Sequence, residues 1–445
     1  MDIVESTDWR TTAAPPWDEP DVEDRPIPGE RYTSTSFFQQ EWEGMWTRVW
    51  LLLGRANDMP RPGDYQMEEV GPESFLLVRQ ADDSIRAFYN VCQHRGSRLS
   101  FAERGRVDRF VCPYHGWEWA TDGALLDAPD AEDFAGGNPC EHVRLEEVAC
   151  DTFGGFVFVN MDPSCDSLTN FLGPLVADWS RYGMNGWKRY TALTARVGCN
   201  WKVIQDNFCE SYHLPMVHRQ LETAYEESYR YTRFDLSTHG HNRMVMTGAT
   251  PSSTLLPHAS TIAEPLAGRL RAWDLDPADF DERVRDARRA LQSQMRELGP
   301  ARGHAHYENL RDEQLTDAHH YNLFPNCSLT FGADGVLLQR MRPHATDPQQ
   351  CVFDHWYYAF PPSVEAGVQA TTTNVRIDGT GVQHEVFDYG DRPMGIIPDQ
   401  DIAVTTGQQL GLRSRGFRGG HLAGQERRVR WLHQVIDEYI AGQRP

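Results

Sequence analysis

The sequence has little of what marks membrane, secreted or nucleic-acid-binding proteins. No apolar run approaches the roughly 18–20 residues that span a bilayer, and the acidic N-terminal segment lacks the apolar core of a secretory signal peptide. Basic residues are also scarce, since 43 Lys and Arg stand against 64 Asp and Glu and give a net charge of −21. Nucleic-acid binding needs clustered positive charge. We therefore expect neither a membrane span nor a nucleic-acid partner.

Patterns for disulfide bonds and for nucleotide cofactors are missing as well. The 9 Cys are an odd number and most of them are scattered singly, which fits a reducing cytoplasm better than an oxidising compartment. No G-x-G-x-x-G motif follows a predicted strand, so we expect no nicotinamide or flavin site in this chain. At 445 residues the chain is long enough for more than one domain. We expect a cytoplasmic, multidomain protein.

Two short segments each combine one Cys with one His. Cys92 and His94 form a C-x-H motif, and after 17 intervening residues Cys112 and His115 form a C-x-x-H motif. In a Rieske [2Fe–2S] centre two His replace two Cys on one iron, so that each loop supplies one thiolate and one imidazole. The alternative is a structural zinc site, but such sites group like ligands as C-x₂₋₄-C and H-x₃₋₅-H. The alternating order and the tight first spacing favour the [2Fe–2S] cluster.

The same segment carries a family resemblance. Residues 86–119 closely resemble the Rieske domain of Rieske non-haem iron oxygenases, the family that includes the alpha (large) subunits of aromatic-ring hydroxylating oxygenases. The resemblance extends over roughly residues 33–441. It implies a [2Fe–2S] cluster on the four ligands named above and electrons from NAD(P)H through a separate reductase, with or without a ferredoxin. It also implies assembly as a homotrimer, or as an α3β3 complex with a small β subunit.

A second candidate metal site lies in residues 200–218. Glu210 and His213 are three residues apart, which predicts that they share one face of a helix, and Pro215 predicts the end of that helix near His213. A break there lets His218 turn back toward the other two residues. Two imidazoles beside a carboxylate suit a 2-His-1-carboxylate iron(II) site, which keeps positions open for O₂. The H-x₄-H spacing alone is weak evidence, because two surface histidines would be the commoner explanation.

The surrounding sequence resembles the iron-ligand motif of the same family. The D-N-F-x-E-S-Y-H pattern implies that His213 and His218 are iron ligands. It also implies that Glu210 is the carboxylate that links an iron His to a cluster His on a neighbouring subunit, and we add Asn207 as a candidate catalytic residue. Many members have Asp where this chain has Glu210, and Glu also occurs in members that act on quaternary amines. This departure leaves the substrate class open but not the mechanism.

The third iron ligand must be a carboxylate from far along the chain. Asp399 and Asp401 lie at the start of a predicted helix, in which Pro398 fits the first position. The helix dipole alone would explain an acidic residue such as Asp399 in the first turn. Asp401 lies deeper and aligns with the family's ligand position in a Gln-Asp context. We therefore choose Asp401 as the ligand and keep Asp399 as the alternative.

The residues next to the candidate ligands are apolar or carry amides. Phe208, Leu214 and Asn326 are the predicted substrate-pocket residues. Residues 321–326 resemble a family stretch near the pocket, although a strand end with a turn explains them equally well. An apolar pocket binds its ligand by burial, with a few polar groups that set the orientation. We therefore expect a hydrophobic, aromatic substrate; the alternatives are a quaternary amine or an oxidative N- or O-demethylation.

We predict an α+β fold with two domains behind an N-terminal arm. Residues 1–48 form the arm and a helix that packs on the catalytic domain, residues 49–163 form an all-β Rieske domain, and residues 164–445 form the catalytic domain. The resemblance implies that the catalytic domain has a large antiparallel sheet covered by helices, in the helix-grip or START-like arrangement. Helical periodicity predicts a helix over 35–48, and a short apolar run predicts a strand over 201–204.

These features together predict the oxygenase component of a multicomponent system. It uses O₂ and electrons from NAD(P)H to hydroxylate a small molecule, and dioxygenase and monooxygenase outcomes are both open. Its cofactors are one Rieske [2Fe–2S] cluster and one mononuclear iron(II). A function of a different class, a non-catalytic electron carrier, would need only the cluster, and the second ligand set argues against it.

Overall fold

The computed structural model describes residues 16–256, 258–361 and 382–444. The chain divides into two units, each described by itself below. The small unit consists of Gln39–Gly173, His344–Asp347 and Tyr439–Pro445. The large unit consists of Met1–Phe38, Pro174–Pro343 and Pro348–Glu438.

Short strands joined by turns build the small unit. The strands are β1 (Leu51–Arg55), β2 (Asp64–Val70), β3 (Glu73–Arg79), β4 (Ile85–Tyr89), β5 (Arg104–Arg106), β6 (Arg109–Val111), β7 (Glu118–Ala120), β8 (Leu125–Asp127), β9 (Glu147–Phe153) and β10 (Phe156–Asn160). Seven of them form a sheet in the order β1-β10-β9-β4-β3-β2-β5, and β6-β7-β8 form a second sheet. Gly123 has a φ of +85° in the turn between β7 and β8, a conformation that favours glycine. The β-rich architecture expected for this domain is confirmed.

One eight-stranded sheet dominates the large unit. Its strands are β11 (Lys188–Val197), β12 (Arg233–Leu236), β13 (Asn242–Met246), β14 (Ala318–Leu323), β15 (Cys327–Gly332), β16 (Gly335–Pro343), β17 (Cys351–Ala359) and β18 (Glu385–Asp388). The spatial order is β12-β13-β14-β15-β16-β17-β11-β18. Neighbouring strands run antiparallel, except that β11 and β18 run parallel. The expected large antiparallel sheet is confirmed.

Helices occur in both units. The α-helices of the described residues span Glu30–Thr33, Thr35–Glu41, Leu168–Leu172, Pro174–Trp179, Trp201–Asn207, Leu214–Val217, Leu266–Ala272, Asp286–Leu298, Asp312–Thr316, Ile396–Leu412 and Arg427–Ile440. The helix Asp286–Leu298 is amphipathic, because it buries Leu291 and Met295 and exposes charged residues on the other side. Within the described ranges, the longest helices are too short or too polar to cross a bilayer.

The two faces of the eight-stranded sheet carry different residues, because side chains alternate along a strand. On one face the rings of Tyr321 and Phe331 pack edge to face, with their centroids 5.4 Å apart. Trp179 packs against both rings at 5.9 and 5.5 Å. This aromatic face is part of the core of the large unit.

The opposite face carries imidazoles and amides, and we call it the polar face. His320 and Asn322 lie on it from β14. Asn322 pairs with Ser328, Ser328 pairs with Gln339, and Gln339 pairs with His355 of β17. Residues that pair directly across strands share a face. The polar face therefore runs across four neighbouring strands.

Residues Trp201–Asn207 form a helix, not the strand that their apolar run predicts. Asn200 caps the helix, because its Oδ1 accepts a hydrogen bond from the backbone N–H of Lys202 at 2.9 Å. The helix packs on the polar face, where Gln205 Nε2 donates to Ser328 Oγ at 3.2 Å. The strand prediction was wrong because a short apolar run does not distinguish a strand from a buried helix.

The predicted N-terminal helix is present, but it belongs to both units. An α-helix over Thr35–Glu41 continues as a π-helix over Trp42–Trp46, and the division between the units falls after Phe38. The ring of Trp42 lies against Gly71 of the small unit, where a Cβ would have no room. The second half of the helix therefore packs with the Rieske residues, whereas residues 1–48 were expected to pack on the catalytic domain. Residues 1–15 of the expected arm lie outside the described residues.

Candidate metal centres

The first candidate centre is formed by two loops of the small unit with matching backbone geometry. The backbone N–H of Cys92 donates to the carbonyl of Ser97 at 2.8 Å, and the N–H of Gly96 donates to the carbonyl of Cys92 at 3.0 Å. The loop that begins at Cys112, between β6 and β7, repeats both hydrogen bonds at the same offsets and distances. Gly96 and Gly116 have φ values of +75° and +76°, where a side chain is disfavoured. The two loops are therefore close structural copies.

The imidazoles of the two loops lie side by side. The ring centroids of His94 and His115 are 4.5 Å apart, and Trp117 stacks on His94 at 4.8 Å and 6°. The Nδ1 atoms of both imidazoles are buried and have no hydrogen-bond partner among the described residues. A buried polar atom without a partner costs about 1–3 kcal/mol. Both nitrogens therefore fit a bound metal.

The two cysteines complete the donor set. Cys92 and Cys112 are buried free thiols. Burial raises the pKa of the Cys92 thiol, and hydrogen bonding with the Cys112 thiol adds to the increase. Two adjacent thiols and two adjacent imidazoles fit a [2Fe–2S] cluster in which one iron takes the Cys pair and the other takes the His pair.

The second candidate centre lies in the large unit, where three residues from distant parts of the chain converge. Oδ1 of Asp401 lies 2.8 Å from His218 Nε2 and 3.5 Å from His213 Nε2. Asp401 and His218 are almost fully buried, and Asp401 Oδ2 has no hydrogen-bond partner in the described part of the chain. Two imidazoles and a carboxylate with an unpaired oxygen fit one iron(II) ion.

Glu210 builds the turn that carries His213. Its Oε2 accepts hydrogen bonds from the backbone N–H groups of Tyr212 and His213, and its Oε1 lies 2.6 Å from His213 Nδ1. Burial lowers the pKa of His213, but the hydrogen bond and charge of Glu210, together with the charge of Asp401, outweigh burial and raise it. One carboxylate therefore orients both the backbone and the imidazole, and it leaves Nε2 facing Asp401.

The local structure differs from the helix that the Glu210/His213 spacing predicts. The preceding helix ends at Asn207, Glu210–His213 form a turn, and a new helix spans Leu214–Val217. Pro215 lies in the first turn of that helix, where its missing N–H is not needed. It therefore helps to begin a helix, whereas it was expected to end one. His218 follows the new helix directly and reaches Asp401.

The helix Ile396–Leu412 gives its two candidate carboxylates different surroundings. Asp399 accepts hydrogen bonds from the backbone N–H groups of Met394 and Gly395 at 3.1–3.3 Å, so it caps the start of the helix. Asp401 faces the two histidines instead. The geometry therefore supports Asp401 as the ligand, and iron analysis of variants can test the choice.

Replacing Asp401 with Ala is expected to remove the mononuclear iron and leave the cluster irons, because the site loses its carboxylate. Asp399→Ala is the matched control. It should keep all the iron and lose about 1 kcal/mol of stability, which is the usual cost of a lost helix cap. Iron per chain and thermal unfolding measure the two effects. Loss of mononuclear iron in Asp399→Ala but not in Asp401→Ala would reverse the assignment.

A contact that the sequence did not reveal orients the second histidine. Gln400 Oε1 lies 2.8 Å from His218 Nδ1 and accepts a second hydrogen bond from Gln220 Nε2 at 2.8 Å. Because a carbonyl oxygen only accepts, this contact is made to an Nδ1–H donor, and it turns the opposite nitrogen, Nε2, toward Asp401, where a metal can bind. The only sequence feature that pointed to this contact was the position of Gln400 directly before the predicted ligand Asp401. Asn207 Nδ2 donates to Asp401 Oδ1 at 3.0 Å, which supports its candidate role.

Aromatic and polar side chains lie beside this centre. Phe208 stacks with His320 and Phe353, with ring centroids 6.5 and 6.2 Å apart. Burial lowers the pKa of His355 to about 4, although the negative charge of Asp401 opposes the shift. The His355 ring is therefore neutral at pH 7, and its buried Nδ1 has no hydrogen-bond partner within the described ranges. The apolar sequence neighbours of the ligands did not reveal this polar side of the site.

The other two predicted pocket residues have different surroundings. Leu214 is buried at the start of its short helix. Asn326 holds the turn between β14 and β15, because its Nδ2 donates to the carbonyl of Met341 at 3.0 Å. This bond favours the alternative that residues 321–326 are a strand end with a turn. A role of either residue in substrate binding stays a prediction.

Family comparisons assign both centres to known domain types. The sequence matches the ring hydroxylating alpha subunit (catalytic domain) family over residues 184–442 and the Rieske [2Fe-2S] domain family over residues 49–146. The chain therefore belongs to the ring hydroxylating alpha subunits of the Rieske non-haem iron oxygenases. Its small unit contains a domain for a [2Fe–2S] cluster rather than for zinc, and its large unit contains the catalytic domain for a mononuclear iron.

Individual relatives differ in substrate. The carnitine monooxygenase oxygenase subunit of Escherichia coli (strain K12) is 32% identical over 228 residues, which cover 51% of this chain and 60% of the relative. The benzene 1,2-dioxygenase subunit alpha of Pseudomonas putida is 35% identical over 193 residues, 41% of this chain and 42% of the relative. These alignments span about half of the relatives' length. A solved quaternary ammonium Rieske monooxygenase has the same fold, with a TM-score of 0.66 and 18% identity over 94% of this chain and 100% of that chain.

Proposed function

We propose that the protein is the oxygenase component of a multicomponent system that oxidises a small organic molecule with O₂ and electrons from NAD(P)H. The observation that carries the proposal is the convergence of His213, His218 and Asp401 in a chain that also contains the two Cys/His loops. A Rieske cluster supplies electrons, and iron(II) in such a site activates O₂. Because the sequence contains no nucleotide-binding motif, a separate reductase, with or without a ferredoxin, delivers the electrons.

The chain's own side chains hold the two imidazoles in one orientation. Glu210 contacts His213 Nδ1, and Gln400 contacts His218 Nδ1. Each contact directs the opposite nitrogen, Nε2, toward Asp401. Outer contacts of this kind orient metal ligands and are worth about 10–100-fold in affinity or activity.

Exposed apolar side chains beside both centres support electron transfer between subunits. Tyr212 and Met216 flank His213 in the sequence and are 59% and 76% exposed, and Tyr114, whose ring lies 3.7 Å from that of His115, is 56% exposed. Because these side chains lie next to candidate metal ligands, they are candidates for contact with another subunit. They fit a head-to-tail homotrimer in which the cluster of one subunit meets the iron site of the next. An α3β3 complex is the alternative assembly.

A quaternary amine is the first candidate substrate. The carnitine monooxygenase relative and the Glu at position 210 both support it. Phe208 and Phe353 offer aromatic faces, which attract cations. A hydrocarbon would leave the buried His355 Nδ1 unpaired at a cost of about 1–3 kcal/mol, whereas a carboxylate or hydroxyl on the amine could pair with the ring.

A hydrophobic aromatic molecule, which the sequence alone favours, is the second candidate. The benzene 1,2-dioxygenase relative supports it, and so do the stacked rings of Phe208 and Phe353. The two substrate classes differ in whether they can form a hydrogen bond with His355 on the polar face. An arene has no group that can pair with its neutral imidazole.

A substrate screen with a surrogate reductase tests the function and ranks the substrates. O₂ uptake and product are measured together for carnitine- and betaine-like amines and for simple arenes and aryl acids. Coupled turnover of the amines supports the first candidate, and coupled turnover of arenes alone reverses the order. Reduction of the cluster and O₂ uptake without product from any class, in protein that holds both metals, would contradict the oxygenase proposal.

The variant His355→Leu separates the two substrate classes further. A hydrogen bond worth about 1.4 kcal/mol corresponds to a factor of about 10 in an equilibrium constant. Because the variant cannot make this bond to the substrate, we expect its turnover of a polar amine to fall by about 10-fold. Turnover of an arene should stay the same or rise. Iron content per chain serves as the control for an intact site. Equal turnover of the amine by the wild type and by His355→Leu would show that His355 does not bind the substrate.

A further inference from the structure

A third group of potential metal ligands lies in the large unit, away from the residues discussed so far. His304, His306 and Asp334 each place one donor atom within 4.8 Å of the other two. Oδ1 of Asp334 lies 2.9 Å from His304 Nδ1 and 3.3 Å from His306 Nε2. Both imidazoles thus converge on a single carboxylate oxygen. The two imidazoles of the proposed iron site converge on Asp401 Oδ1 in the same way, at 2.8 and 3.5 Å.

The group is buried, and an outer contact orients its carboxylate. The side chain of His304 is fully buried, and those of His306 and Asp334 are 11% and 13% exposed. The hydroxyl of Tyr307 donates to Asp334 Oδ2 at 2.6 Å, which leaves Oδ1 for the imidazoles. The carboxylate therefore presents one oxygen to both imidazoles, and the Tyr307 hydroxyl holds the other oxygen in place.

The ligands come from ordered backbone. Asp334 lies in the tight turn between β15 and β16, and its carbonyl accepts a hydrogen bond from the backbone N–H of Phe360 at 2.8 Å. His306 lies in the 3₁₀-helix Ala305–Asn309. Donor atoms held by secondary structure need little rearrangement to bind an ion.

The group is too far from the proposed iron site to share its ion. The backbone of Phe360 contacts Asp334 and lies seven positions beyond Phe353 (353 to 360) along the β17 segment, about 23 Å at the usual rise of a strand. The ring of Phe353 stacks on that of Phe208, which follows Asn207, a hydrogen-bond partner of Asp401. The two groups are therefore separate sites in the same unit.

We propose that His304, His306 and Asp334 bind a divalent transition-metal ion, zinc or iron(II), because two imidazoles and a carboxylate suit these ions. The ion links the segment after the helix Asp286–Leu298 to the β15–β16 turn, so its role is structural. The competing arrangement is a metal-free cluster, in which His306 Nε2 also donates to the carbonyl of Ala333 at 3.0 Å. Binding of the ion displaces the protons from both ligand nitrogens, His304 Nδ1 and His306 Nε2.

Zinc uptake by tag-free, full-length protein tests this proposal. The parent protein carries His213→Ala, so that the proposed iron site competes weakly and equally in every sample. His306→Gln and Asp334→Asn are made in this background, with His421→Gln as a control for an exposed His outside the group. After equilibrium dialysis against micromolar zinc, we expect the parent and His421→Gln to hold about one zinc per chain more than the two ligand variants. Zinc should also raise the unfolding temperature of the parent and of His421→Gln, but not of the ligand variants.

Equal zinc in the parent and both ligand variants would overturn the proposal, and so would no zinc uptake by the parent. Either result would show that the three residues form the metal-free, hydrogen-bonded cluster instead. If Asp334→Asn does not fold, two measurements still test the proposal. They are the zinc content of His306→Gln and the effect of zinc on the unfolding temperature of the parent. Because the readouts are metal content and stability, they do not depend on the proposed oxygenase activity.

Discussion

Mixed trimers built from two inactive variants are expected to regain oxygenase activity. The variant Cys92→Ala should lose the cluster and keep the mononuclear iron, whereas His213→Ala should lose that iron and keep the cluster. In the proposed head-to-tail ring, every mixed trimer contains one junction where an intact cluster faces an intact iron site. If electrons stayed within one chain, a mixed trimer would contain no working pair of centres.

The two chains are co-expressed with different affinity tags and purified in tandem, so that only mixed trimers remain. We expect about one third of the wild-type activity per trimer, because one of the three junctions is productive, and near-background activity for each parent variant. The matched control is a trimer of one wild-type chain with two chains that carry both substitutions. It should be inactive, although its wild-type chain contains both centres. Inactive mixed trimers that hold both metals would contradict transfer between subunits.

The variant Glu210→Gln is expected to lose most of its product formation while both metals stay bound. In the structure one carboxylate oxygen contacts His213 Nδ1 at 2.6 Å, and the other accepts the backbone N–H groups of Tyr212 and His213. A Gln side chain offers one accepting oxygen and one donating amide group, so it cannot make both sets of contacts. Either the turn or the imidazole loses its partner. We expect a loss of about 10–100-fold in turnover.

The variant Glu210→Asp provides the conservative comparison. This variant keeps the negative charge on a shorter side chain, and many members of the family have Asp at this position. It should therefore retain more activity than Glu210→Gln. Re-oxidation of the reduced cluster in a single turnover is the diagnostic measurement, because a purely structural role would not slow it in a variant that holds both metals. Near-wild-type turnover and cluster re-oxidation by Glu210→Gln would remove Glu210 from the electron path.

Local patterns in the sequence determined the Cys/His loops. Each loop contains its Cys and its His within four residues, and each closes through hydrogen bonds between residues at most five positions apart. Bonds of that kind depend only on the backbone conformation of one short segment, including Gly96 and Gly116 at positive φ. The motif spacing was therefore sufficient to predict the loops and their cofactor.

Local patterns were insufficient where side chains compete with the backbone. The spacing of Glu210 and His213 predicted a helix, but the Glu210 carboxylate accepts the N–H groups that a helix would have used. The apolar run that begins at Trp201 predicted a strand, but the Asn200 cap and packing on the sheet made it a helix. In both cases hydrogen bonds and burial decided between two conformations that the sequence pattern allowed.

Only the tertiary structure decided which distant groups meet. His218 and Asp401 are 183 residues apart in the chain, and Gln400 contacts His218 across 182 residues. The position of His355 on the polar face, where the charge of Asp401 acts on its imidazole, follows from the register of the strands, which is set by packing across the whole sheet. The sequence by itself determined the ligand types and the turns that present them, because these depend on neighbouring residues. The approach of distant segments depends on burying apolar surface across an entire unit, and no single segment contains that information.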